Sequence, residues 1–320
     1  MAVTKTTQQT PEPRIKHVEW CGLTWTDIER PTSEETDELA KFYPFHPLDL
    51  DDCLSRTQRP KIDEYDDYIF VLLHFPVFNK EARVTMPSQV SVFIGRDYLI
   101  TLHPGTLKPL VKLFRDCQVR EEARADNMKS PGYLMYRIVD RLTDYCFPIL
   151  NKIMENIETV EDEIFDTKRR RGSVKEISVL RRDIISFRRT IWPMRAVIGA
   201  LEHRTERFTK QDLEVYWGDL LDHVDKIWDT LDECKEIIEG LSDTSNSLYS
   251  TRTNEVMRIL TVITMIMLPV TVTSNLYSMN VHIPGGTSGH GDYLAFGLLV
   301  FAMILETVGL LTFFRYRRWI

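Results

Sequence analysis

What this sequence lacks narrows its function before any motif is read. It has no H-E-x-x-H, no G-x-S-x-G and no Rossmann glycine fingerprint, the patterns that would carry metallopeptidase, hydrolase or dinucleotide chemistry. GGTSGHG, residues 285–291, is glycine-rich but lacks the Lys-Ser/Thr ending of a phosphate-binding loop. An ATP-driven mechanism therefore has no support, an enzyme has no motif behind it, and no organic cofactor is expected. The five cysteines (Cys21, Cys53, Cys117, Cys146, Cys234) contain no C-x-x-C pair, so they read as reduced thiols rather than a disulfide framework or zinc knuckle. A formal net charge of −7 gives no case for nucleic acid as a partner. MAVTKTTQQTPEP has no apolar run, so the expectation is no signal peptide and a short disordered lead over residues 1–13.

Charge nearly disappears from two stretches of about 20 residues. At 27% charged residues the chain as a whole is too polar for a multi-spanning bundle. Yet Val256 to Tyr277 carries one charge, Arg258, and Tyr293 to Phe314 carries one, Glu306. A bilayer core takes roughly 20 helical residues, so both stretches are long enough to span it. Arg252 and Arg258 precede the first, Arg315, Arg317 and Arg318 follow the second, and no Lys or Arg lies between Arg258 and Arg315. The positive-inside bias then places both termini in the cytoplasm of a multi-pass plasma or inner membrane protein, with residues 278–292 as the outer loop. Tyr293, Tyr316 and Trp319 are the expected interfacial anchors, and residues 315–320 form a basic cytoplasmic tail.

The remainder reads as an α+β domain followed by long helices. RIKHVEWCGLTW, YIFVLLHFPVF and SQVSVFIG with YLITLH carry strand alternation, the last two meeting at a Gly95-Arg96-Asp97 turn. SEETDELAKFY, opening on a Ser33 cap, and HPLDLDDCL read as short helices, and Leu107 to Ala125 as a further one. This domain is placed at 14–130. From Pro131 the spacing turns helical. GYLMYRIVDRLTDYCFPILNKIMENIETVEDEIFD is read as one helix, RRRGSV as its break and VKEISVLRRDIISFRRTIWPMRAVIGALEH as its antiparallel partner, together filling 131–210. From Asp212 a third pattern runs into the first span, so 211–277 is expected as one stalk helix. About 60 residues of helix reach 90–100 Å at 1.5 Å per residue. A helix of that length wants copies of itself alongside, so a homo-oligomeric bundle is expected.

Along the first span Asn254, Met257, Thr261, Thr264, Leu268, Thr271, Asn275 and Ser278 recur every three or four residues and share a face. Amides and hydroxyls are costly against lipid. In a ring of copies this stripe would line a central path, with uncharged oxygens suited to hydrated Mg²⁺ and Met257, Leu260 and Leu268 as apolar constrictions that gate by dewetting. Small polar residues that let neighbouring helices pack are the plainer explanation, and the stripe alone leaves the two level.

TNEVMRILTVITMIMLPVTVTSNLYSMN, with the RYRRW ending, resembles the CorA family of magnesium transporters. RRTIWPMRAVI, YWGDLLDHV and RPKIDEYDDYIFVLLHF extend the likeness over nearly the whole chain. The resemblance implies a funnel-shaped homopentamer with a cytoplasmic α/β domain. It also implies passive, potential-driven Mg²⁺ uptake through a pore lined by the first span, with Co²⁺ and Ni²⁺ also passing. Tyr277, Met279 and Asn280 match the family's Tyr-Gly-Met-Asn selectivity entrance, where the Asn meets the hydrated ion first. Asn254, Met257, Leu260, Leu268 and Thr271 match pore positions. Asp219 matches a carboxylate that helps bind regulatory Mg²⁺ between subunits and close the pore. Ser278 departs from the signature glycine, and relatives resembling the zinc transporter ZntB also alter that motif. A Zn²⁺ carrier of the same family is the rival reading, and a membrane-anchored regulatory module without conduction is the reading from another class.

Four features stand outside this scheme. His282 and His290 in the outer loop suit Zn²⁺ better than Mg²⁺, although histidines in a Gly-rich loop are commonly plain loop residues. Glu306 sits mid-span, where a charge is expensive and usually functional, and has no assigned role. Asp219, Asp222, Asp225, Asp229, Asp232, Glu233 and Glu236 form an acidic run that either holds divalent ions between subunits or is a solvated face. Lys168 to Arg171 is a basic turn, solvated or facing anionic lipid.

Overall fold

Two consecutive residues with positive φ, Cys21 (48°) and Gly22 (82°), turn the first strand signal into a hairpin rather than one strand. β1 (Ile15–Trp20) and β2 (Leu23–Glu29) pair antiparallel across that turn. The Cys-Gly pair interrupts the apolar run for only two residues, which is why the sequence alone reads as a single strand. The computed structural model describes residues 15–55, 58–166, 170–209, 211–278, 293–317 and 319. The expected disordered lead, the outer loop from Met279 with Asn280, His282 and His290, and Lys168 lie outside the described residues.

α1 (Ser33–Phe42) is capped one residue earlier than expected: Glu35 accepts a hydrogen bond from the Thr32 backbone N–H at 2.7 Å, so Thr32 is the cap. α2 (Pro47–Leu54) opens on His46, whose Nδ1 accepts from the Leu48 N–H. β3 (Lys61–Glu64) is too short and polar to show in the sequence. β4 (Ile69–Asn79), β5 (Val84–Ile94) and β6 (Tyr98–His103) complete one six-stranded sheet in the order β1-β2-β6-β5-β4-β3. β2 and β6 run parallel and every other pairing is antiparallel. The Gly95 turn forms as expected, with Gly95 N–H donating to the Tyr98 carbonyl at 3.0 Å. A Cβ at Gly95 would fall 2.3 Å from the Tyr98 ring, so close approach demands glycine there. Phe45 stacks on Phe93 at 4.0 Å inside a core shared by α1, α2 and the sheet.

The single helix expected over 107–125 is two, α3 (Lys108–Val119) and α4 (Glu121–Asn127). Arg120 is extended between them, and the Arg124 guanidinium donates to the freed Cys117 and Gln118 carbonyls. The next long helix also divides, into α5 (Pro131–Asp144) and α6 (Cys146–Phe165). Pro148 has no N–H to offer the Asp144 carbonyl, which ends the ladder at Tyr145. RRRGSV is not the break it was expected to be: α7 (Arg170–Thr205) begins inside it and absorbs Gly172. One glycine costs a helix only about 1 kcal/mol, too little to end it. α8 (Glu214–Ser278) opens where Asp212 Oδ1 accepts from the Glu214 N–H at 3.0 Å, and α9 (Tyr293–Tyr316) follows.

The chain divides into two compact units, Met1–Ser242 and Asp243–Ile320. In the first, α7 lies against the β4–β5 hairpin. Asp183 accepts from the Thr85 N–H, Ser186 donates to the Thr85 carbonyl, and Arg83 forms a bidentate pair with Glu176. Asp183 is 3% exposed, and burial pushes its carboxyl above the ordinary carboxylate range against the pull of Thr85 and Arg182. A raised folded pKa means stability is greatest below the unfolded value and falls as pH rises through the window above it. Asp183→Asn is therefore expected to raise the unfolding midpoint at neutral pH, with the gain vanishing near pH 3. Thermal unfolding scans across that range check it, and a gain that persists at low pH would contradict it.

Among the described residues one helix, Glu214–Asn275, is long and apolar enough to cross a membrane, and its apolar window is almost wholly exposed. α9 carries Leu298, Phe301 and Leu305, all exposed. In the second unit two hydrophobic side chains are buried among those described, Val262 and Phe314.

Candidate functional site

The polar stripe survives as a surface of the second unit. Asn254, Thr264, Thr271, Asn275 and Ser278 are exposed, Thr261 is half-covered, and Met257, Leu260 and Leu268 are 55%, 55% and 59% exposed. On the other side of α8, Val262 is buried and Ile266, Pro269 and Thr273 are half-covered. From Val262 to Thr273 helical spacing thus separates a partly covered face from an open one, while from Asn254 to Leu260 the helix is exposed all round.

The hydroxyls on the open face are not unsatisfied. Thr261 donates to the Met257 carbonyl at 2.8 Å, Thr264 to Leu260 at 2.8 Å, and Thr271 to Met267 at 2.7 Å. Each proton is committed to the helix's own backbone, so the cost assigned to these hydroxyls from sequence alone is largely removed. A hydroxyl used in this way still offers its oxygen lone pairs outward. That is an acceptor surface, able to take hydrogen bonds from water molecules but not to give them. Of the signature residues, Tyr277 and Ser278 end α8, while Met279 and Asn280 lie outside the described residues.

Asp219 sits one turn into α8, in the first unit. It is largely exposed, with its carboxylate 4.0 Å from His223 Nε2. Asp140 on α5 lies near the same histidine, and burial raises its pKa, reinforced by Asp144 and opposed by Arg137. Among the described residues no group of three His, Cys, Asp or Glu side chains is arranged to hold a metal ion. Among the described residues, then, Asp219 and its neighbours make no closed Mg²⁺ site within one chain.

The acidic run is not one surface. Asp225 pairs with Arg195 at 2.6 Å, Asp232 pairs with Arg188, and Glu239 lies 3.6 Å from Arg181. These pairs form an antiparallel ladder between α7 and α8, one rung every seven residues. Between its rungs Trp192 meets Trp228 at 4.6 Å, and the Arg188 guanidinium lies 4.4 Å from the Trp228 ring. Sequence reading missed this ladder, although the matching seven-residue spacing of Arg181, Arg188 and Arg195 with Asp225, Asp232 and Glu239 was there to find it.

Comparison with known proteins decides what this arrangement belongs to. The sequence pattern described as CorA-like Mg²⁺ transporter protein matches residues 20–317. The chain belongs to that family. It is 31% identical over 303 residues to the putative metal ion transporter YfjQ of Bacillus subtilis, covering 92% of this chain and 89% of that one. It is 30% identical over 265 residues to the cobalt/magnesium transport protein CorA of Thermotoga maritima, covering 82% and 72%. Its fold matches the CorA magnesium transporter of Methanocaldococcus jannaschii with a TM-score of 0.77 at 23% identity, over 93% and 92% of the two chains. CorA membership accounts for the sheet-containing domain and the long helix together.

Proposed function

We propose that this chain is the protomer of a Mg²⁺ channel or transporter, a funnel-shaped homopentamer through which the ion enters passively under the membrane potential. The observation that carries the reading is the open face of α8: a row of Asn, Thr and apolar side chains, left uncovered while the opposite face is partly covered from Val262 to Thr273. One such face encloses nothing, and a ring of copies closes it into a path. The α8 span, 256–277, and the α9 span, 293–314, then cross a plasma or inner membrane with both termini cytoplasmic.

Lone pairs turned into the path suit an ion that keeps its water shell, because each shell water presents a proton outward. Mg²⁺ dehydrates reluctantly, so such contacts favour it. Tyr277, Ser278, Met279 and Asn280 form the selectivity entrance. Met257, Leu260 and Leu268 are the constrictions, and Asn254, Thr264, Thr271 and Asn275 line the path between. Asp219 is the regulatory carboxylate. Since the described residues of one chain bring no three metal-ligating side chains together there, a second copy supplies the rest of any regulatory Mg²⁺ site.

Uptake into liposomes loaded with ion-sensitive dye, at an imposed potential, tests this. Mg²⁺ entry is expected, falling at least tenfold in Asn280→Ala. Zn²⁺ entry without Mg²⁺ would move the protein to the zinc-carrying branch, consistent with Ser278 in the signature. Absence of flux for Mg²⁺, Co²⁺, Ni²⁺ and Zn²⁺ alike would leave a membrane-anchored module that does not conduct.

A further inference from the structure

Glu306 is the one carboxyl in the apolar stretch of α9, and it makes no hydrogen bond or ion pair with any described residue. Its position on the helix is informative. Met303, Thr307 and Leu310 are half-covered and Phe314 is buried, which marks the face of α9 that is covered within the unit. At 3.6 residues per turn Glu306 lies about 60° round the helix from Met303, on the flank of that face. Phe301 and Leu305, 64% and 63% exposed, occupy the far side.

The same flank carries Ala302 four residues before Glu306 and Gly309 three residues after it, all three exposed. A Cβ added at Gly309 would meet nothing within 4 Å, so the space beside the carboxyl is open. Small residues on either side of a polar group make a notch that admits a second helix closely and leaves the polar group at the contact. Acyl chains offer no hydrogen-bond partner, and a carboxyl left facing them is strongly disfavoured.

We propose that Glu306, set between Ala302 and Gly309, is a hydrogen-bonding contact to a second copy of this chain within the membrane. This rests on the reading of α8 and α9 as spans. A second copy is the occupant because the open face of α8 needs further copies to enclose it. Copies set round that face adjoin one another at their flanks, and the far side of α9, with Phe301 and Leu305, is left to lipid. The carboxyl thus ties the outer helix into the assembly without entering the path.

The test mixes donor- and acceptor-labelled full-length chains in liposomes over a series of protein-to-lipid ratios and reads association from energy transfer. Glu306→Leu and Gly309→Leu are expected to need at least tenfold more protein per lipid for half-association. Glu306→Gln, which keeps hydrogen-bonding groups, should stay within threefold of wild type, and Leu305→Ala should leave association unchanged. Circular dichroism of each variant establishes that the helices are intact. Wild-type association by Glu306→Leu, an equal loss in Leu305→Ala, or a loss in Glu306→Gln as large as in Glu306→Leu would each overturn the proposal, as would a monomeric wild type. Mg²⁺ entry is measured on the same liposomes. A wild type that associates through Glu306 but moves no ion would overturn the transport reading and leave the contact standing.

Discussion

Thr271→Val is expected to cut potential-driven Mg²⁺ uptake by about tenfold or more, the worth of one hydrogen bond to a charged or strongly polarised partner at ~1.5–3 kcal/mol. Valine keeps the branched shape of threonine and removes only the oxygen. In the wild type that oxygen donates its proton to the Met267 carbonyl and leaves its lone pairs on the exposed face of α8. The helix loses little from the exchange, since back-bonding of this kind slightly destabilises helices. Thr273→Val is the matched control: it removes the same atom from the half-covered side of the helix and should leave uptake within twofold of wild type. The two variants decide between a path and a packing surface. If Thr273→Val costs as much as Thr271→Val, the hydroxyls serve helix packing in general. If neither variant changes uptake, the open face does not contact the ion's water shell.

Trp217→Ala should destabilise the first unit by about 3–5 kcal/mol, the usual cost of emptying a large buried aromatic site. Trp217 is fully buried at the start of α8, edge-on to Tyr136 of α5 at 5.8 Å. Trp217→Phe is expected to cost far less than that. The indole N–H is buried without a partner among the described residues, so phenylalanine removes an unsatisfied donor along with the lost area. Urea unfolding of the detergent-solubilised chain, followed by far-UV circular dichroism, gives both numbers. An alanine cost below about 1 kcal/mol would mean that the base of α8, and with it Asp219 two residues on, is not anchored by this side chain.

Particular elements show why some of this was legible beforehand. The β4–β5–β6 run was readable because alternation and a glycine turn are local signals, and Gly95 has a local reason to be glycine. The Cys21–Gly22 hairpin was not, because Cys-Gly is not among the common two-residue turn pairs and interrupts the apolar run for only two residues. The α5–α6 break depends on one absent N–H at Pro148, a local cause that helical periodicity overrides on reading. At Gly172 the error ran the other way, since a local cost of about 1 kcal/mol is outweighed by the helix on either side. The acidic run shows the limit of composition. Which carboxylates are free and which are bound to arginines depends on α7 lying antiparallel beside α8.

By itself the sequence determined the class of this protein: two apolar stretches set in a charged chain, a basic bias at their ends, the stripe of Asn, Thr and Ser at helical spacing, and the resemblance to the CorA family. Those properties are set by residue type and spacing along one chain, so they need no partner to be read. Tertiary structure decided the rest: which side of α8 is partly covered and which is open, that the threonine protons are already spent on the backbone, that Asp225 and Asp232 are paired with arginines while Asp219 has His223 beside it, and that Glu306 has no partner among the described residues. Each of these is a relation between groups distant in sequence or a choice among competing hydrogen-bond partners. Such choices are settled by packing, because only packing determines which groups keep access to water, lipid or another chain.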